Sequence, residues 1–247
     1  MSVIILLICV FVQRYLRFLS MPYHKDWVSR FYNLCYQRFS QPMISLPVLG
    51  LSLLVIPPMF LIILLFTVIE HLVGGVGYWM LTLVWCWYCL NIIDVSSVED
   101  MPTARNMVET YFHRVFAVIF WFLLGPLWLA LYIIISDVSN FGKRQDDALK
   151  LFSLSDQLLA IMDWVPVRLF GLSLALISHF TKILKLLLAT LHYSFSRSGE
   201  LMGDWVEAAL ATLDESTPIG DRLTMLLEYA LIVWLVIAIV LGLATLF

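Results

Sequence analysis

Long apolar runs separated by shorter polar stretches recur along the chain, and they set the first expectation. Ser2 to Val12 is apolar and continues as an amphipathic stretch with Arg14 and Arg17, giving a helix to about Leu19. Met43 to Ile69 has full span length, with Pro57 and Pro58 expected to kink it. The glycine-rich turn from Glu70 to Gly77 reverses the chain, and Tyr78 to Ile93 returns. Val115 to Ile135 carries no charge and reads as one span bent at Gly125-Pro126. Trp164 to Leu191 has span length but is punctuated by Pro166, Arg168, His179, Lys182 and Lys185, so it crosses or only dips in. Tyr229 to Phe247 is a last uncharged run. None of these runs alternates with period two, and backbone polar groups in hydrocarbon must pair within the chain, so helices are expected.

The resulting expectation is an all-α polytopic helical membrane protein with about five or six membrane-inserted helices plus amphipathic interfacial helices. Residues 1–247 form one integral membrane domain, with polar connections at 94–114, 136–163 and 192–228. Composition agrees: 62% of residues are hydrophobic and 13% charged, and the mean hydropathy is +0.92. Soluble domains average about 25% charged residues, so the bilayer is the expected partner. The first run lacks the preceding positive charge and following cleavage site of a signal peptide and is read as retained.

Lys and Arg resist export. Arg14, Arg17, Lys25, Arg30 and Arg38 fall between the first two spans and none falls between the second and third, which puts the N-terminus outside. Six spans then leave Lys143, Arg144, Lys150 and Arg168 on the outer side. The net charge of −3 offers no basic excess for phosphate backbones, so nucleic acid is excluded as a partner. Of the four cysteines, Cys9, Cys86 and Cys89 lie in apolar runs and imply no disulfide framework.

Candidate chemistry concentrates at Asp163-Trp164-Val165-Pro166-Val167-Arg168. Proline favours the first turn of a helix, so Pro166 is expected to open one with Arg168 in its first turn. A cation there needs a negative neighbour. Asp163, Asp156 or Asp137 supplies it as an ion pair, or an anionic ligand supplies it by backbone donors and the guanidinium fork. Glu109 and His113 are spaced i, i+4, but two ligands do not make a metal site. His24, His71, His179 and His192 have no companions at ligand spacing, and Asp146, Asp147, Asp214 and Glu215 read as solvated surface. No metal site or cofactor is implied, and no phosphate loop or nucleophile elbow is present.

The block Asp163 to Gly171, DWVPVRLFG, with Leu174 to His179, LALISH, resembles the AmpE family. Phe120 to Pro126, FWFLLGP, is similar to the family's central span, and Gln13-Arg14 falls where members carry an acidic-Arg pair. That resemblance implies a multi-pass protein of the bacterial inner membrane, a signalling modulator linked to AmpD, β-lactamase induction and cell-wall recycling, with a cell-wall-derived ligand as a possible small-molecule partner. AmpE is similar in turn to CobD/CbiB, whose P-A-R-L block matches Pro166, Arg168 and Leu169. The alternative so implied is a membrane-embedded transferase or ligase acting on an anionic or phosphorylated substrate. A transporter, the third reading, would show paired interrupted helices.

Overall fold

The computed structural model describes residues 2–15, 30–35, 37–38, 47–90, 99–143, 150–190, 198–213 and 217–244. His24, Lys25, Asp94, Arg144, Asp146, Asp147, His192, Asp214 and Glu215 lie outside them. Among the described residues the structure is helical, with no strand. The helices are α1 (Ser2–Tyr15), α2 (Pro47–Val73), α3 (Gly75–Cys89), α4 (Met101–Leu124) and α5 (Pro126–Lys143), then α6 (Lys150–Ile177), α7 (Phe180–Thr190), α8 (Ser198–Leu210) and α9 (Ile219–Ala244). Four of them, α2, α4, α9 and α6 over Phe152–Ile177, are long and apolar enough to cross a membrane. The chain is thus an all-α polytopic membrane protein, as its apolar runs predict.

The runs do not map one to one onto helices. Gly125, at φ 138°, ends α4, and Pro126 starts α5 without needing a helical donor. The chain reverses there: the Trp121 ring stacks on both Trp128 and Tyr132, at 6.2 and 6.0 Å. The expected single span Val115–Ile135 is therefore the tip of a hairpin. Its arms reach into the segments read as polar connections, because those segments are amphipathic. In the first part of α4, Met101–Tyr111, the buried side chains are Ala104, Val108 and Tyr111, and in α5 they include Val138 and Phe141. The α2–α3 turn is shorter than expected: only Gly74, at φ 72°, interrupts the helix. Pro57 and Pro58 lie inside α2 without ending it.

Helix α6 runs antiparallel to α5 along a seam of fixed register. Phe152 packs where Gly142 leaves no room for a side chain, the Ser139 hydroxyl donates to Asp156, and the Tyr132 hydroxyl donates to Asp163 at 3.0 Å. From Ser139 back to Tyr132 and from Asp156 on to Asp163 are seven residues each, two turns on one face of either helix. The Trp164–Leu191 segment is not one helix. Its first part ends α6, the chain breaks at Ser178-His179, and α7 folds back so that Leu187 reaches Gly171.

These pairings give the bundle two ends. The tip end holds Gly74, Gly125, Ser178 and the close packing of Gly242 on Val3. The polar end holds the finish of α1, where the Gln13 amide donates to the carbonyls of Trp87 and Leu90 at 3.1 and 2.6 Å. That amide closes the end of α3, whose last carbonyls have no helical donor. The start of α4 is here too: Asp100 accepts from the Thr103 N–H at 3.0 Å, and Arg105 pairs with Asp204 and Glu207 of α8. Since α5 descends and α6 ascends, Lys143 and Lys150 also belong to the polar end. Their expected place opposite Arg14 and Arg30 is corrected, because the reversal at Gly125 adds a pass.

Hydrogen bonds from Thr103, side chain and then backbone, hold the Asp100 carboxyl below the usual carboxylate range. A depressed carboxyl contributes stability that is complete above its ordinary pKa and is lost as pH falls through the lowered value. Acid unfolding of Asp100→Asn should therefore be less steep across that window than that of the parent, measured by thermal midpoint against pH.

Candidate functional site

At residues 112–116, α4 takes one π-helical turn, closed by the Ala117 N–H on the Phe112 carbonyl. Such turns add a residue to the helical circuit and are frequent at functional sites. This one directs His113 toward α5 and α6. Its Nδ1 is 2.9 Å from the Tyr132 hydroxyl and 3.6 Å from Asp163 Oδ2, while the Tyr132 hydroxyl donates to Asp163 Oδ1. Asp163 is 4% exposed and Tyr132 fully buried, whereas His113 keeps a quarter of its side-chain surface open. The carboxylate is thus reached through a tyrosine from a partly accessible imidazole.

With the tyrosine proton committed to Asp163, His113 donates through Nδ1–H; this tautomer follows from the network. The arrangement His113–Tyr132–Asp163 can hold a proton and pass it along a short hydrogen-bonded chain. Aromatic packing fixes it: Trp121 lies nearly parallel to Tyr132, Phe112 sits edge-on to His113, and Phe116 packs between a tilted Phe170 and an edge-on Trp234 at 4.7 and 5.5 Å. Ionisable side chains inside a membrane bundle are uncommon and face its interior when they mark function.

The other expected site residues do not join this group. Pro166 does not open a helix, since α6 is already running from Lys150; buried in mid-helix, it removes the donor that would meet the Met162 carbonyl. Asp163 and Arg168 do not pair either. Five residues at about 100° each turn them roughly 140° apart on α6. Arg168 instead lies over the Trp164 ring, 4.1 Å from its centroid, and donates to the Trp164 carbonyl at 3.1 Å. Its Nε is buried without a hydrogen-bond partner, and among the described residues no carboxylate pairs with it. Asp156 accepts from Ser139, two turns below Asp163 on the same seam. Asp137 sits closer to the polar end near Tyr32, where burial first and then the Asp137 charge push the tyrosine hydroxyl up. Neither acid reaches Arg168.

Glu109 lies beside Gly199 of α8, and among the described residues no three metal-ligating side chains converge. Tyr132 gave no sign of a role in the sequence, because it falls inside an uninterrupted apolar run. Only the reversal at Gly125-Pro126 brings it opposite His113.

No curated protein matches this chain, and no solved structure does. A family match covers residues 93–247, which hold α4 to α9 and with them His113, Tyr132, Asp163 and Arg168. By that match over more than half of its length, and in keeping with the DWVPVRLFG block, the chain belongs to the AmpE family of regulatory signalling modulator proteins.

Proposed function

We propose that this AmpE-family protein acts in a bacterial inner membrane as a modulator of β-lactamase induction and cell-wall recycling, functionally linked to AmpD. In this reading the His113–Tyr132–Asp163 seam is the element that changes state. The supporting observation is a buried carboxylate that accepts from a buried tyrosine, which in turn meets a histidine with a quarter of its side-chain surface open. A change of protonation or of neighbouring charge at such a place alters how α4, α5 and α6 pack. Arg168, on the outer side of α6, is the proposed contact for an anionic molecule, since a buried guanidinium nitrogen without a partner favours one.

The alternative of a membrane-embedded transferase at Asp163 and Arg168 draws no support from their placement, because one pocket would have to hold two groups that α6 turns apart. The test is complementation of a deletion strain, reading β-lactamase activity after a β-lactam challenge. The wild-type chain should restore the parental response, and Asp163→Asn should fail to do so while present in the membrane at equal amount. An unchanged response in the deletion strain would remove the reading.

A further inference from the structure

Helices α1 and α9 run antiparallel, with Val3 packed on Gly242 at the tip end. Nearer the polar end a groove of about 540 Å³ lies between them. Leu7, Ile8, Phe11, Ile232 and Leu235 form its walls, and the buried Val10 and Leu231 its floor. It opens onto the lipid-facing surface, because Ile8, Phe11 and Ile232 are exposed. Val12 and Glu228 stand at its polar end, and Glu228 is the one charged residue among the described lining.

Glu228 stands where the hydrocarbon stretches stop. The uncharged run of α9 begins at Tyr229, and the apolar run of α1 ends at Val12, with Gln13 and Arg14 following in its last turn. Both helices thus change from apolar to polar at the same end of one groove. A half-buried carboxylate at that border avoids the desolvation it would meet among acyl tails. Leu235, seven residues on from Glu228, lies about 10.5 Å farther toward the tip at 1.5 Å per residue. Water has no polar side chain to bond along that stretch, so the space there suits hydrocarbon. The groove is acidic at one end and apolar along the rest, and a molecule that fills it needs a cationic head and an apolar tail.

We propose that this groove binds a bilayer phospholipid carrying a primary ammonium, with the ammonium on the Glu228 carboxylate and one acyl chain along Leu231, Ile232 and Leu235 between α9 and α1. The groove is continuous with the surface in contact with lipid, and charge complementarity selects a cation at its acidic end. A primary ammonium offers three N–H donors and a quaternary one none, so hydrogen bonding separates two headgroups of equal net charge. A carboxylate has lone pairs for about four donors, which leaves room for the lipid beside the contacts Glu228 makes within the protein. The phosphate of such a lipid adjoins its ammonium, and Arg14 in the last turn of α1 brings a base to the same border. The inference is independent of the roles given to Arg168 and to the Asp163 seam.

The test is native mass spectrometry of the full chain, released from detergent with equal amounts of phosphatidylethanolamine, phosphatidylcholine and phosphatidylglycerol of the same acyl chains. Phosphatidylethanolamine adducts should exceed phosphatidylcholine adducts about fivefold, the worth of one partly exposed ion pair, and should exceed phosphatidylglycerol adducts as well. Glu228→Gln should bring phosphatidylethanolamine and phosphatidylcholine to parity while lipid uptake persists, and Glu228→Asp should keep part of the preference. Ile232→Trp, on the exposed rim, should reduce uptake of both lipids; Ile8→Trp on the facing wall serves if the first variant does not fold. Equal uptake of the three lipids by the wild type, or an undiminished preference in Glu228→Gln, would overturn the proposal. A preference for phosphatidylglycerol would overturn it by showing that a base and not Glu228 governs the site. Uptake left unchanged by a folded rim variant would also overturn it, by placing the lipid elsewhere on the protein.

Discussion

Replacing Asp163 with alanine is expected to lower the stability of the detergent-solubilised protein by about 2 kcal/mol, since it strips the buried Tyr132 hydroxyl of its acceptor and removes the carboxylate 3.6 Å from His113. The Tyr132 hydroxyl, fully buried, has Asp163 Oδ1 at 3.0 Å as its acceptor. No water of the bulk reaches that position to replace it. Tyr132→Phe removes the donor as well and should cost less, about 0.6 kcal/mol, the average for hydrogen bonds between membrane helices, and no more than about 1.7 kcal/mol, their maximum. Asp163→Asn keeps an acceptor oxygen and should fall between the parent and the alanine variant. Combining Tyr132→Phe with Asp163→Ala should cost less than the sum of the two, because the second change removes a group the first had already released. Unfolding midpoints of the four proteins measure this coupling, and strict additivity would show that the three side chains do not act as a unit.

The second large effect is expected at Gly171. A Cβ placed there would stand 2.7 Å from Trp205 Cζ3 and 2.8 Å from Leu187 Cδ1, so α7 and α8 both rest on the bare backbone of α6. Trp205 is 1% exposed and has no free space into which to retreat. Overpacking of this kind costs about 1–3 kcal/mol in well-packed cores, and Gly171→Val should reach the upper part of that range. Gly199→Ala is the informative contrast: the atoms it would meet, at 3.3 Å, are the carboxyl end of the exposed Glu109, which can swing aside. Gly75→Ala, with nothing within 4 Å, should be neutral. A thermal midpoint for Gly171→Val equal to that of Gly75→Ala would contradict the packing of α7 and α8 on α6.

Much of this architecture is legible in the order of residues. Span length and the absence of alternation give helices in a membrane, and the DWVPVRLFG block gives the family. The errors share one physical origin. Hydropathy reports the solvent around a segment and not the direction of the chain within it, so Val115–Ile135 reads as a single crossing although Gly125 turns it back. The same limit hid the site. Asp163 is visible as a buried acid near a proline, but its partners His113 and Tyr132 are 50 and 31 residues away in the chain, and only the α4–α5 hairpin and the π-helical turn align them. Pro166 is a favourable helix start in isolation, yet the amphipathic stretch before it buries Phe152, Leu159 and Asp163 and so extends α6 backward by four turns. Arg168 shows the helical phase at work, because five residues separate it from Asp163 and that spacing faces the two apart.

The reversal at Gly125 is what builds the site, and a labelling experiment addresses it directly. In intact cells, a membrane-impermeant maleimide should fail to reach either the native Cys35 or a Lys143→Cys introduced in a Cys35→Ser background, and should label both after permeabilisation, because the hairpin returns residue 143 to the end of the bundle that holds residue 35. Labelling of the two positions from opposite sides would mean that residues 115–135 cross once, and His113, Tyr132 and Asp163 could not then meet.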